Sequence, residues 1–164
     1  EAVNLVAAWD YLEATYGGEK GIEAGHQQLA NEIVRMFGLR AGEAPKMVGG
    51  KVSIDIRMYL DSLDKKYGQS RYSYSCLEYF KTARELLASL AVWANDNQTS
   101  GCLNNLYHQF SVRSEVTSRA RFPCGQVDVV TYHNRVEFRL APALADALME
   151  FVSTYATNLV KKAA

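Results

Sequence analysis

Residues 70–96, SRYSYSCLEYFKTARELLASLAVWAND, constrain the fold more than any other stretch of the chain. Ser75 followed three residues later by Glu78 reads as a capping box, in which each side chain satisfies a free backbone N–H at a helix start. Cys76, Tyr79, Phe80, Ala83, Leu86, Leu87 and Leu90 then recur at the three-and-four spacing of one helical face, while Glu78, Lys81, Thr82, Arg84 and Glu85 fall largely on the other. A helix over 75–92 is expected, with its apolar side in a core and the cations Arg71, Lys81 and Arg84 turned outward.

The rest of the chain is long enough to supply that core. With 164 residues, 48% of them hydrophobic, a single folded domain over 1–164 is expected. No apolar run approaches the ~18 residues of a membrane span, and no basic-then-apolar leader opens the chain. The first residue is Glu1 rather than Met, so processing or a longer parent chain is expected. Cys76, Cys102 and Cys124 form no CxxC pair and are odd in number, which points to reduced thiols and a cytoplasmic setting, with Cys102–Cys124 the one pairing left open.

Formal neutrality hides an asymmetry. Residues 1–64 hold six Lys/Arg against ten Asp/Glu, a balance of −4, leaving twelve against eight, or +4, for residues 65–164. Within 65–84, Lys65, Lys66, Arg71, Lys81 and Arg84 face Glu78 alone. Such a local basic patch fits a polyanionic partner, because phosphate contacts dominate nucleic-acid affinity; a solvated helix face gives the same pattern.

Helices are expected over about 2–16, stopped by Gly17-Gly18, and over 23–37, stopped by Gly38. The glycines of 17–25 read as a turn, since the stretch lacks both the Lys-Ser/Thr ending of a P-loop and a preceding strand. Glu23 and His26 have the Glu-x-x-His spacing of di-iron bundles, but no second copy exists and His26 reads as a surface or capping residue. Residues 39–52 read as a loop with a short strand at its edge, and Ser53 as the cap of a third helix through Tyr67. Helix 53–67, a polar turn and helix 75–92 have the layout of a helix-turn-helix.

Beyond a loop at 95–105, alternation predicts strands over 106–116, 126–132 and 135–140. The loop 117–125 carries Arg119 and Arg121, and Pro142 opens a closing helix to about 160. Helices, then strands, then a helix predict an α+β fold with a small antiparallel sheet.

The segments LEYFKTARELLASLAVWAND, LNNLYHQFSV and RVEFRLAPALADALMEF, spanning about 70–151, resemble the winged-helix domains of plasmid replication initiator proteins. Val136, Phe138, Leu140, Pro142 and Leu144 supply that family's apolar-x-apolar-x-Pro-x-Leu strand-to-helix step. The resemblance implies a winged helix, DNA as partner and a homodimer. The family usually carries two such units, and this chain has room for one, so the resemblance implies a dimerisation or backbone-contact unit, or a single-domain relative. On the DNA-binding reading, Lys65, Lys66, Arg71, Lys81 and Arg84 contact phosphates or base edges, Tyr72 and Tyr74 stack on sugars or donate to phosphates, and Arg119 and Arg121 form the wing. Two further readings stay open. One is a protein-interaction module, since eighteen aromatic residues, ten of them tyrosine, are enough for both a core and a contact surface. The other is an enzyme or small-ligand binder using a cysteine with His108 or His133, or Asp55 or Asp61 as base, although no catalytic, cofactor or metal spacing is diagnostic.

Overall fold

A computed structural model describes residues 5–16, 18–106 and 115–158. Its elements are α1 (Leu5–Tyr16), α2 (Gly18–Phe37), β1 (Lys46–Val48), β2 (Lys51–Arg57), α3 (Ser62–Lys66), α4 (Tyr74–Trp93), α5 (Asn97–Asn105), β3 (Ala120–Cys124), β4 (Val127–Thr131), β5 (Arg135–Leu140) and α6 (Pro142–Tyr155). The expected α+β architecture is present. The five strands form one antiparallel sheet in the order β1-β2-β5-β4-β3, so the 127–140 hairpin is the middle of the sheet. No helix among the described residues is long and apolar enough to cross a membrane.

The sheet is built by alternation. In β2, Val52, Ile54 and Ile56 share one face, opposite Leu140, Phe138 and Val136 of β5. Val127 and Val129 of β4 continue that face, and it packs against Ala30 and Ile33 of α2, Phe80 and Leu87 of α4, and Leu148 and Phe151 of α6. Phe138 sits at the junction, edge-on to Phe37 (5.8 Å) and stacked on Phe80 (6.0 Å). Between the helices, Phe151 meets Trp93 at 5.0 Å and His26 at 5.7 Å, so His26 is a half-buried packing residue, not the surface or capping residue expected.

Several element boundaries correct the sequence reading. The helix expected over 53–67 is the strand β2 followed by the five-residue α3, whose N-cap is Asp61. Gly49 and Gly50 both take positive φ, giving the tight two-residue turn that joins β1 to β2 and fixes Val48 opposite Lys51. Of the turn expected at 17–25, residues 18–25 are helical, since α2 begins at Gly18, and Gly17 lies outside the described residues. In α1, Val6 and Tyr11 are exposed. The loop expected over 95–105 contains α5, and the loop 117–125 contains β3. Of the strand expected over 106–116, Leu106 is the C-cap of α5 and residues 107–114 lie outside the described residues.

The 75–92 helix is present as α4, but Ser73, not Ser75, caps it by accepting from the Cys76 N–H at 3.3 Å. It ends where Asn95 turns left-handed (φ 59°), letting the Asp96 N–H reach the Ala91 carbonyl at 2.8 Å. Asp96 then caps α5 and also accepts from Gln126 Nε2 at 2.6 Å, tying the α4–α5 corner to the β3–β4 turn. Gly125 in that turn has φ 58°, and a Cβ there would fall 2.3 Å from Thr99 Oγ1.

Candidate nucleic-acid interface

The helices cover one face of the sheet, and the alternate residues of each strand point to the other. Val130 is buried on this second face yet does not belong to the apolar cluster beneath the helices. Within the strands the second face carries Lys46, Lys51, Arg57, Arg121, Arg135 and Arg139 against Asp55, Asp128 and Glu137, six cations to three carboxylates, a balance of +3.

Its charges are arranged in rows. Asp128, only 3% exposed, is held by Lys51 Nζ at 2.6 Å and by Arg121. Glu137, 2% exposed, takes Arg139 Nε at 2.8 Å and Arg135 at 3.8 Å. Burial pushes the Asp128 carboxyl up, but hydrogen bonds and charge from Lys51 and Arg121 outweigh it and hold the group below the ordinary carboxylate range. For Glu137 burial is again the largest single influence, outweighed by Arg139, Ser53 and Lys46. Each carboxylate is thereby ionised and enclosed; of the cations around them Arg121 remains 56% exposed at its side chain, while Arg139 commits its donors to Glu137 and to the Tyr132 hydroxyl.

The next row along the sheet is cationic. Arg57 stands directly opposite Arg135, with Tyr132 beyond, and the Arg135 guanidinium lies 3.8 Å from the centre of the Tyr132 ring. Like charges paired across strands cost a few tenths of a kcal/mol to about 1 kcal/mol. Glu137 and the Tyr132 ring offset part of that cost for Arg135, and Arg57 stays exposed.

Four backbone segments are stitched together at this end of the sheet. The Met58 N–H donates to Asn134 O, Ser73 N–H to Tyr59 O, Asp61 N–H to Arg71 O, Val116 N–H to Ser70 O, and Arg119 N–H to Thr131 O. Arg71 and Arg119, distant in sequence, are therefore brought to the border of the arginine row, with the exposed Lys65 and Lys66 on the adjoining α3.

The structure separates the residues expected to touch nucleic acid. Arg121 lies on the second face and Arg119 just before β3 at its rim. Arg84 is a correction: at 3% exposure it donates to Leu103 O (3.0 Å) and Asn104 O (3.3 Å), a cation closing the C-terminus of α5 on the helix side of the sheet. Tyr72 is another. It is buried, its hydroxyl donates to Tyr132 O, and burial pushes its pKa up. Tyr74 is exposed at the start of α4, and Lys81, half-buried on the same helix, has a partner of its own. Both belong to α4, whose apolar side packs on the other face of the sheet from the arginine row, although its first turns come up beside Arg57 at the end of β2.

Sequence reasoning missed Lys46, Lys51, Arg57, Arg135, Arg139 and Tyr132 as site residues. Arg135, Glu137 and Arg139 are legible as the polar alternates of a strand, whereas the stretch from Ser53 to Arg57 reads as the start of a helix. All three cysteines are free thiols. No family model, curated protein or solved structure matches the chain.

Proposed function

We propose that this protein binds nucleic acid through the second face of its sheet, gripping sugar–phosphate backbone with the arginines and lysines that Asp128 and Glu137 hold in place. The observation that carries the reading is the charge balance of that face among the described residues: six cations to three carboxylates, two of the carboxylates enclosed, with Arg57 and Arg121 exposed at its edges. Backbone contact by arginine forks and lysines is positional and carries little sequence information, so affinity rather than sequence choice is what this face supplies.

The finer reading implied by the resemblance, a winged-helix unit with α4 as its reading helix, has less support. Arg84 is committed to α5, and the segment ahead of α4 is a strand and a five-residue helix. A homodimer is the second reading, favoured by the large exposed side chains of Leu63, Tyr67 and Tyr74 around α3 and the start of α4.

The test is anisotropy of a labelled single-stranded oligonucleotide across a salt series. About four phosphate contacts give a log-log salt slope of about −3, and Arg57→Ala makes it shallower by about one. Binding indifferent to salt, or a slope that Arg57→Ala leaves unchanged, overturns the reading; light scattering showing a dimer without any oligonucleotide binding favours the second one.

A further inference from the structure

Beside the arginine row the surface opens into a cleft of about 570 Å³ between the C-terminal end of α2, β2 and the first turns of α4. Its walls combine an apolar floor with a polar rim: Phe37, Ile56 and Cys76 are buried or half-buried, while Arg35, Arg57 and Tyr79 are exposed. A second hollow of about 420 Å³ lies toward Arg135 and Asn134, and the two share Asp55, Arg57 and Tyr59. The cationic sheet face and the cleft are thus one continuous surface that passes over Arg57.

That volume suits a single nucleotide, well inside the ~300–1,000 Å³ range of small-ligand pockets. The chemistry suits one as well. Tyr59 and Tyr79 offer rings for a base to stack on, Arg35 and Arg57 offer forked donors for a phosphate, and the exposed Asp55 carboxylate is an acceptor for an exocyclic amine. A duplex keeps its bases stacked inside and cannot place one here, whereas a single strand lying over Arg135 and Arg57 can turn a base over the edge of β2.

We infer that the cleft is a nucleotide-binding pocket that receives one base and its phosphate from a single strand crossing the sheet face. The inference deepens the proposed function and, for its polymer form, rests on it. The same base-and-phosphate chemistry comes from a free nucleotide, so the experiment separates the two sources.

Binding of the full chain is measured to four probes: a single-stranded oligonucleotide, the same length with abasic sites, its duplex, and adenosine monophosphate. The expected result is that the single strand binds about tenfold or more tighter than the abasic strand and the duplex. Tyr79→Ala, at an exposed position, erases that margin without changing affinity for the abasic strand, and Tyr79→Phe, which keeps the ring, preserves it. Equal affinity for the single strand and the abasic strand, or a margin that survives Tyr79→Ala, overturns the pocket while salt-dependent binding leaves the sheet face standing. If no polymer binds, the sheet-face reading fails alone when adenosine monophosphate binds saturably and Tyr79→Ala abolishes it, which supports a pocket for the free nucleotide. Absence of that binding as well overturns both.

Discussion

Arg84 shows how far a residue's chemistry depends on what surrounds it. On a helical wheel it is one more outward cation. In the fold it is buried and commits its guanidinium to the carbonyls of Leu103 and Asn104, ending a helix that its own sequence, NQTSGCLNN, does little to favour. Replacing it with Met keeps much of the volume but leaves those carbonyls without their charged donor. Arg84→Met is expected to destabilise the fold by about 3 kcal/mol, read from urea denaturation, with oligonucleotide affinity of the folded fraction unchanged. An affinity loss without a stability loss would return Arg84 to the interface. Gly125 is a second residue whose identity is set by geometry, because its left-handed φ and the 2.3 Å approach of Thr99 Oγ1 both exclude a side chain. Gly125→Ala is expected to cost roughly 2 kcal/mol in the same measurement. It should also loosen the Asp96–Thr99–Gln126 hydrogen bonds at the α5 N-terminus, visible as faster amide exchange at Thr99 and Gln126.

At the scale of elements, the second face of the sheet is held by ion pairs whose acids are enclosed, and that makes its stability depend on pH. Asp128 and Glu137 are both held below the ordinary carboxylate range, so each contributes stability that is fully present above its unfolded pKa of about 4 and is lost as pH falls through that value toward the lower folded one. The urea midpoint is therefore expected to fall steeply between about pH 5 and pH 3, and the paired change Asp128→Asn with Glu137→Gln should flatten that fall. An unchanged pH profile in the double variant would show that the acid sensitivity arises elsewhere. The elements themselves are legible in the sequence to different degrees. Helix α4, strand β5 and helix α6 carry strong, unambiguous periods and appear where the sequence places them, within a few residues. The 53–67 stretch satisfies two periods at once: Ile54, Leu60, Leu63 and Tyr67 fit a helix, while Val52, Ile54 and Ile56 fit a strand. Gly49-Gly50 decides between them, since a two-glycine turn pairs the residues on its N-terminal side with those on its C-terminal side as a hairpin. Helix α5 is not legible because its support is tertiary, coming from Arg84 at one end and from Gln126, bonded to the Asp96 cap, at the other. The candidate face is half legible for a related reason: β5 announces itself as a strand, whereas its neighbour β2 carries a helical period into α3 and conceals the cations it shares with β5.

For the molecule as a whole, the formal net charge of zero sets how binding should behave. A neutral protein has little long-range pull on a polyanion, so attraction comes from the local +3 of the sheet face, felt within a Debye length of ~10 Å. Association should be ordinary in rate and weakly accelerated at low salt, with the salt dependence concentrated in the lifetime of the complex. Raising salt from 50 to 200 mM is expected to weaken binding by about sixty-fold at a slope of about −3. The two sides of the sheet then make opposite predictions for where the partner lies. Amide signals of β2 and β5, from Lys51 to Arg57 and from Arg135 to Leu140, should shift on titration with oligonucleotide, while those around Arg84 and Leu103 beneath the helices should stay in place. Arg57→Glu combined with Arg135→Glu reverses the arginine row and should abolish those shifts at about 50 mM salt. The melting temperature should fall, because the reversal sets carboxylate opposite carboxylate and takes Arg135 away from Glu137. Arg57→Gln with Arg135→Gln, which only removes the charges, is therefore titrated beside it and should lose the same shifts while staying folded. Shifts confined to α4 would place the partner on the helices instead, and the sheet face would then be a charged surface without a nucleic acid to hold.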